Sequence, residues 1–370
     1  MERFGDGMAR IAMLVSNACS PDPRVQRHAK WLADIGHDVT IHAFDREQKY
    51  THTEDLDGYR IIRHQIGIYS YGAKLKTVLG LRKFSKIVKK EISDDDYDAV
   101  WCNDSDTLAV GISKQKSGLR LVYDMHDISH SWVSKLNYPL SRTLAKRMEK
   151  NMLQRAKKAE FVITSSQKIA DGRYDGFREY LNGHGIECTS ILNYEKENVE
   201  SVSTDNSNLT IGYFGRIRDL EGFKTLHRWA SKQEQIPKIK LAGDGVLVDD
   251  VLKLFNHLDA EYHGSFSQND LSNLMQGVDF MWCYYDHSRD NISMGALPVK
   301  MFDAAKHGVP SLVNSECLMQ DYAEKYQLGI AFSEDLDISE IIELKQSLEF
   351  NLDELEDQES KFKSKFSEII

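Results

Sequence analysis

The strongest constraint on the fold is a rhythm that runs through the sequence twice. Short apolar runs of strand character alternate with segments whose apolar residues recur at helical spacing. In the first half the strand-like runs are 10–16 (RIAMLVS), 38–44 (DVTIHAF), 59–63, 98–102, 120–123 and 161–164. Between the first two, Val25, Ala29, Leu32 and Ala33 lie at helical spacing, and Gly36 supplies a stop. Residues 199–208 (VESVSTDNSN) are polar and read as a linker. The rhythm then restarts, with strands at 209–214, 238–242, 278–284 and 311–314. Strands alternating with helices imply parallel, doubly wound sheets. The expected fold is therefore α/β with two Rossmann-like domains, at 1–200 and 205–345. The charged, helical tail 346–370 is expected to cross back to the first domain. With 370 residues, two cores are also what surface-to-volume scaling favours. Two such domains would leave a central cleft facing the carboxyl ends of both sheets, where ligands bind.

Several function classes lose support at once. The loop after the first strand (Asn17-Ala18-Cys19-Ser20-Pro21) contains no glycine, and the nearest approach to GxGxxG, Gly243-Asp244-Gly245, lacks the third glycine. GxxxxGK[ST], HExxH and GxSxG are absent. Dinucleotide, P-loop, zinc-hydrolase and serine-hydrolase chemistry are therefore not expected. The five cysteines are scattered without CxxC pairing, which reads as free thiols in a cytoplasmic protein, with no zinc site. A net charge of −10 disfavours nucleic acid as partner. No apolar run reaches the ~20 residues of a membrane span. Residues 1–7 lack the apolar core of a signal peptide and read as a short disordered lead.

Several ordered segments carry a resemblance. They are Asp22-Pro23-Arg24-Val25 with Gly36-His37-Asp38-Val39, then 122–127 (VYDMHD), 159–166 (AEFVITSS) and Leu192-Asn193. In the second half they are 211–216 (IGYFGR), 241–245 (LAGDG), 297–303 (LPVKMFD) and Gly308-Val309-Pro310. In this order they resemble the retaining glycosyltransferases of family four, also called group one, over about residues 8–335. The resemblance implies the GT-B architecture. It also implies transfer of a hexose-type sugar from a nucleotide sugar, UDP- or GDP-linked, to a saccharide or lipid-linked acceptor. The setting implied is synthesis of cell-surface polysaccharide or glycoconjugate.

A sugar nucleotide leaves as a diphosphate that gains charge, so its site needs fixed cations and close backbone N–H groups. The resemblance assigns Arg216 and Lys300 to the diphosphate and Asp303 to the ribose hydroxyls. Gly215 permits close backbone approach, and a helix starting near Pro298 would put Lys300 and Asp303 on one face. Gly243, Asp244 and Gly245 read either as a nucleotide contact or as a simple turn. On the first-domain side, His126 is the expected sugar contact, with Asp127 or Asp124 in acceptor or structural roles. A hydrogen-bonded structural pair is the alternative for His126. Asn103 and Asp104 end a strand and would join this wall. Asp22 and Arg24 read equally as acceptor contacts or as cap and salt bridge.

Two positions depart from the family pattern. Where many members have Lys-Gly, this chain has Glu221-Gly222, so Arg218 or Lys224 would have to supply the cation. Eight residues before Asp303, where many members carry glutamate, stands Gly295, leaving Asp286, Asp290 or Asn291 for that contact. These departures leave open a non-catalytic sugar-nucleotide-binding module, and the shared fold leaves open a nucleotide-sugar epimerase. No metal cofactor is expected, since fixed cations can serve the diphosphate. Finally, Lys74, Lys76, Arg82, Lys83, Lys86, Lys89 and Lys90 interleave with apolar residues and no acid, and 135–158 is also basic. In an acidic protein this suggests a peripheral, anionic membrane surface as partner, against a plain solvated helix face.

Overall fold

The computed structural model describes residues 8–69, 74–93, 95–128, 130, 133, 140–196 and 208–367. The lead 1–7 and all but the last residue of the linker 199–208 lie outside the described residues. The chain divides into two compact units. One comprises residues 1–167, 177–192 and 358–370; the other comprises 168–176 and 193–357.

The first unit is built on β1 (Arg10–Val15), β2 (Asp38–Ala43), β3 (Thr53–Asp55), β4 (Tyr59–Arg63), β5 (Ala99–Asn103), β6 (Arg120–Met125), β7 (Phe161–Thr164) and β8 (Thr189–Ser190). Their order in the sheet is β3-β4-β2-β1-β5-β6-β7-β8, parallel except for β3 against β4. The sheet strands are apolar because helices cover them; β1 reads Ile11, Ala12, Met13 and Leu14 with none exposed. The helix Pro23–Asp34 starts at an Asp22 cap that accepts the Val25 N–H. The C-terminal helix Gln358–Ser367 joins this core through Phe362 and Phe366, one turn apart, whose rings pack on Trp101. Gln358 accepts the Leu192 N–H, and Lys363 pairs with Asp34.

The second unit contains β9 (Thr210–Phe214), β10 (Lys238–Ala242), β11 (Ala260–Tyr262), β12 (Phe280–Cys283), β13 (Ser311–Val313) and β14 (Gly329–Ala331). Its all-parallel order is β11-β10-β9-β12-β13-β14. That is the 3-2-1-4-5-6 order of a doubly wound sheet, reversing direction between β9 and β12. In the first unit the same reversal falls between β1 and β5. These switch points open crevices at the carboxyl ends of the strands.

The division of the chain differs from the boundaries read in the sequence. The switch comes at Leu192/Asn193, and residues 346–357 stay with the second unit. Lys325 pairs there with Glu354, and Lys196 with Asp353. Residues 168–176 also belong to it, because Asp321 accepts the N–H groups of Arg173 and Tyr174 and pairs with the Arg173 guanidinium. The sequence rhythm does not show β3, β8, β11 and β14. All four are edge strands of two or three residues, too short for a period to register.

Candidate functional site

In the second unit the polar groups gather at the switch point. The loop after β9 is pinned at three places. The Tyr213 hydroxyl donates to the Arg216 carbonyl, the Ile217 N–H donates to the Asp244 carbonyl, and the Ile217 side chain is fully buried. Arg216 and Arg218, on either side of that plug, are exposed. The loop after β10 lies directly against it. A Cβ on Gly243 would sit 1.8 Å from the Gly215 carbonyl oxygen, and one on Gly245 would sit 2.0 Å from that of Ile217. Both glycines also hold positive φ, so this pairing of loops requires them. Asp244 turns its side chain to solvent.

Lys300 lies in the first turn of the helix Val299–Lys306, with Pro298 at the cap position rather than inside the helix. Its ammonium rests 3.3 Å from the centre of the Tyr213 ring and beside Gly215. The Nζ atom is buried and, among the described residues, has no hydrogen-bond partner. Burial, with Arg218 and Arg289 adding repulsion, lowers its pKa to about 7. Asp303, one turn on, is buried on the same helix.

Arg289 is the functional candidate that the sequence does not reveal. Asp219 caps the helix Leu220–Ala230 by accepting the Gly222 N–H. Its other oxygen accepts the Asp286 N–H and the Arg289 guanidinium, at 2.9 and 3.3 Å. This ties the loop after β12 to the loop after β9 and stacks Arg289 on Tyr285. Arg289 lies in no recognisable motif; only the fold brings it beside Lys300. Of the two substitutes for the missing cation, Lys224 is engaged by Glu221 at 2.7 Å on an exposed turn, whereas Arg218 sits in the cation group. Gly295 has φ +94, and a Cβ there would lie 2.3 Å from the Asp175 carbonyl oxygen. No side chain fits that position. Asp286 is engaged by Ser288, and Asn291 is buried.

In the first unit, β6 delivers Asp124 to the centre of a charge network. The carboxylate has no exposure, and its Oδ1 accepts the Arg24 guanidinium at 2.7 Å. Its Oδ2 lies 2.9 Å from His28 Nδ1 and 3.3 Å from His126 Nε2. Although burial opposes ionisation, Arg24 and His126 hold Asp124 well below the usual carboxylate range. His28 is lowered to about 3 by burial and by Arg24, so it stays neutral. For His126 burial also lowers the pKa, but Asp124 and Asp104 outweigh it and raise the group to about 9. Asp104, in a left-handed conformation, accepts the backbone N–H groups of His126 and Asp127 at 3.0 and 3.3 Å. Burial pushes its own carboxyl up to about 7. The Ser165 hydroxyl donates to the His126 carbonyl.

This corrects part of the acceptor wall expected from the sequence. Arg24, Asn103 and Asp124 are buried, and Asn103 donates to the Leu14 carbonyl, so in this structure they face the interior of the unit and hold other groups in place. Asp22 is engaged as a helix cap and by Asn17. Asp127 accepts the Ile128 N–H within its own loop. His126, partly exposed at 16% of its side chain, is the cation the network offers to solvent. His28 escaped the sequence reading, though its place one turn after Arg24 on a buried helix face was the available signal.

Comparison with known proteins bears on the family and the fold. Residues 24–172 match the Glycosyltransferase Family 4 model. Over that stretch, under half of the chain, it is similar to that family. The chain also shares the fold of solved GT-B structures over nearly its whole length. Sucrose-phosphate synthase from Thermosynechococcus elongatus superposes with a TM-score of 0.70 at 14% identity, covering 98% of this chain and 99% of that one. Anabaena HepE in complex with UDP and glucose gives 0.60 at 16% identity, covering 97% and 95%. The catalytic domain of starch synthase IV from Arabidopsis thaliana, bound to ADP and acarbose, gives 0.57 at 12% identity, covering 98% and 100%. No curated protein matches the sequence. Among the described residues no helix is long and apolar enough to cross a membrane.

Proposed function

We propose that this glycosyltransferase moves a hexose from a nucleoside diphosphate sugar to a saccharide or lipid-linked acceptor, with retention, in the synthesis of a surface glycan. One observation carries the reading: the Lys300 ammonium is desolvated, has no hydrogen-bond partner among the described residues, and is flanked by Arg218 and Arg289. Such an arrangement is costly without an anion and favourable with one. In this reading Lys300, Arg216, Arg218 and Arg289 receive the diphosphate. Gly215, Gly243 and Gly245 let backbone approach it, and Asp303 accepts from the ribose. His126, held as an imidazolium, donates to a sugar hydroxyl. UDP is the favoured leaving group, supported by the UDP complex of the Anabaena structure. Fixed cations take the place of a divalent ion at the diphosphate, so chelation by EDTA is expected to leave the rate unchanged.

The acceptor is expected at an anionic membrane surface. The helix Lys74–Glu91 buries Gly80, Phe84 and Val88 and exposes Lys76, Arg82, Lys86, Lys89 and Lys90 beside Val78 and Leu79. Exposed basic and apolar side chains together suit an anionic lipid headgroup layer.

A thermal-shift panel of UDP, GDP, ADP and TDP tests the donor site. Stabilisation by one of them, followed by its release from the matching sugar donor only when acceptor is supplied, is the expected result. Donor turnover without acceptor would favour an epimerase, and no stabilisation by any nucleotide would favour a non-catalytic role.

A further inference from the structure

His42 and His64 meet inside the first unit, away from the loops described above. His42 is the penultimate residue of β2, and His64 directly follows β4. Both are buried, at 3% and 4% exposure. His42 Nδ1 and His64 Nε2 are 3.1 Å apart, with the rings stacked at 5.4 Å. Glu91, the last residue of the helix Lys74–Glu91, brings a carboxylate oxygen to 3.5 Å from His64 Nδ1. One ligand atom from each of the three lies within 4.8 Å of the others. On the far side, the Tyr97 hydroxyl is 3.1 Å from His42 Nε2.

Two imidazoles facing each other through nitrogen atoms can share only one proton. The walls are apolar; the Phe84 ring stands edge-on to His64 at 5.6 Å and stacks on Phe44. Nitrogen ligands at about 2.05 Å from a tetrahedral zinc ion are about 3.3 Å apart, close to the separation already present. We propose that His42, His64 and Glu91 form a binding site for a divalent transition metal of the Zn²⁺ class. The carboxylate supplies charge, and its partial exposure gives the ion a way in. Tyr97 stands where an outer partner orients a metal-bound histidine. Two nitrogens and one carboxylate select against Mg²⁺ and Ca²⁺, which take oxygen ligands. The ion would tie the end of the basic helix to β2 and β4. In the sheet, β2 is three strand positions from β6, roughly 14 Å at ordinary strand spacing. The site is therefore structural and separate from His126. Its residues come from positions 42, 64 and 91, a spacing that forms no sequence motif.

The test uses the full chain, stripped of metal and titrated with Zn²⁺ against a chromogenic chelator, with thermal unfolding followed in parallel. One equivalent is expected to bind and raise the Tm, while Mg²⁺ does neither. Glu91→Gln, at a half-exposed position that tolerates the change, should weaken Zn²⁺ binding about tenfold or more, and His64→Gln should abolish it. If His64→Gln does not fold, Glu91→Gln decides. No binding, or binding of unchanged affinity in Glu91→Gln, would overturn the proposal.

Discussion

Replacing Lys300 with methionine separates the cost of its buried charge from the use of that charge. A fall from 10.5 to about 7 corresponds to roughly 5 kcal/mol of lost preference for the charged form, at 1.36 kcal/mol per pH unit. Because the folded value lies below the unfolded one, the unfolded chain binds more protons between pH 7 and 10.5. The group therefore destabilises the ligand-free fold fully below pH 7, and the cost fades as pH rises toward 10.5. Methionine keeps most of the stem and removes the charge. If only about 2 kcal/mol of the cost is recovered, the Tm at pH 7 should rise by roughly 4–8 °C. The same change should weaken binding of the nucleoside diphosphate by about 2–5 kcal/mol, because the anion then enters without its buried partner. In the unmodified protein only the protonated fraction binds well, so the Kd should weaken up to about tenfold per pH unit above 7. The window from pH 7 to 9 isolates the lysine, since the phosphate ionises near pH 6. Calorimetric titration of both proteins at pH 7, 8 and 9 measures this. A Kd that is flat with pH in the unmodified protein, or unchanged in Lys300→Met, would refute the assignment of the diphosphate to this lysine.

Asp124→Asn leaves Arg24 and the His126 imidazolium without their buried counter-charge and should cost about 3–5 kcal/mol in urea unfolding; a loss below 1 kcal/mol would show that the network is not a stabilising unit. The His126 ring, raised to about 9, contributes stability that is fully present below pH 6.5 and lost as pH rises through 9. Histidine NMR should find it protonated at pH 8, and a neutral ring there would remove it as a donor to the sugar. Gly295→Glu, which restores the residue many family members carry, should destabilise the second unit and fail to raise turnover, because the Cβ meets the Asp175 carbonyl; a more active variant would contradict that geometry. Charge reversal at Lys76, Arg82 and Lys86 should abolish sedimentation with anionic liposomes at low salt, and equal binding by both proteins would exclude this helix as the docking face.

The strand rhythm, the caps and the glycine-bearing loops were legible from the sequence because they are local. Apolar period, a capping Asp22 and a turn-forming Gly36 act within a few residues. Arg216, Lys300 and Asp303 were singled out by the family resemblance of the segments that carry them, not by any local period. The cation group around Lys300 was not legible, since Asp219 and Arg289 are joined only by strands β9 and β12 lying side by side at the switch point. The inward turn of Arg24 and Asp124 was equally hidden; a charged residue beside a strand end reads as a ligand contact until burial is known.

The sequence by itself determined two α/β units, all their strands but the short edge ones, and the loops that carry polar chemistry, because periodicity and turn residues are short-range properties. Only the tertiary structure decided which of those charges face solvent, which are spent on one another, and where His42, His64 and Glu91 meet. Burial and pairing depend on residues tens to more than a hundred positions apart, and no local pattern records them.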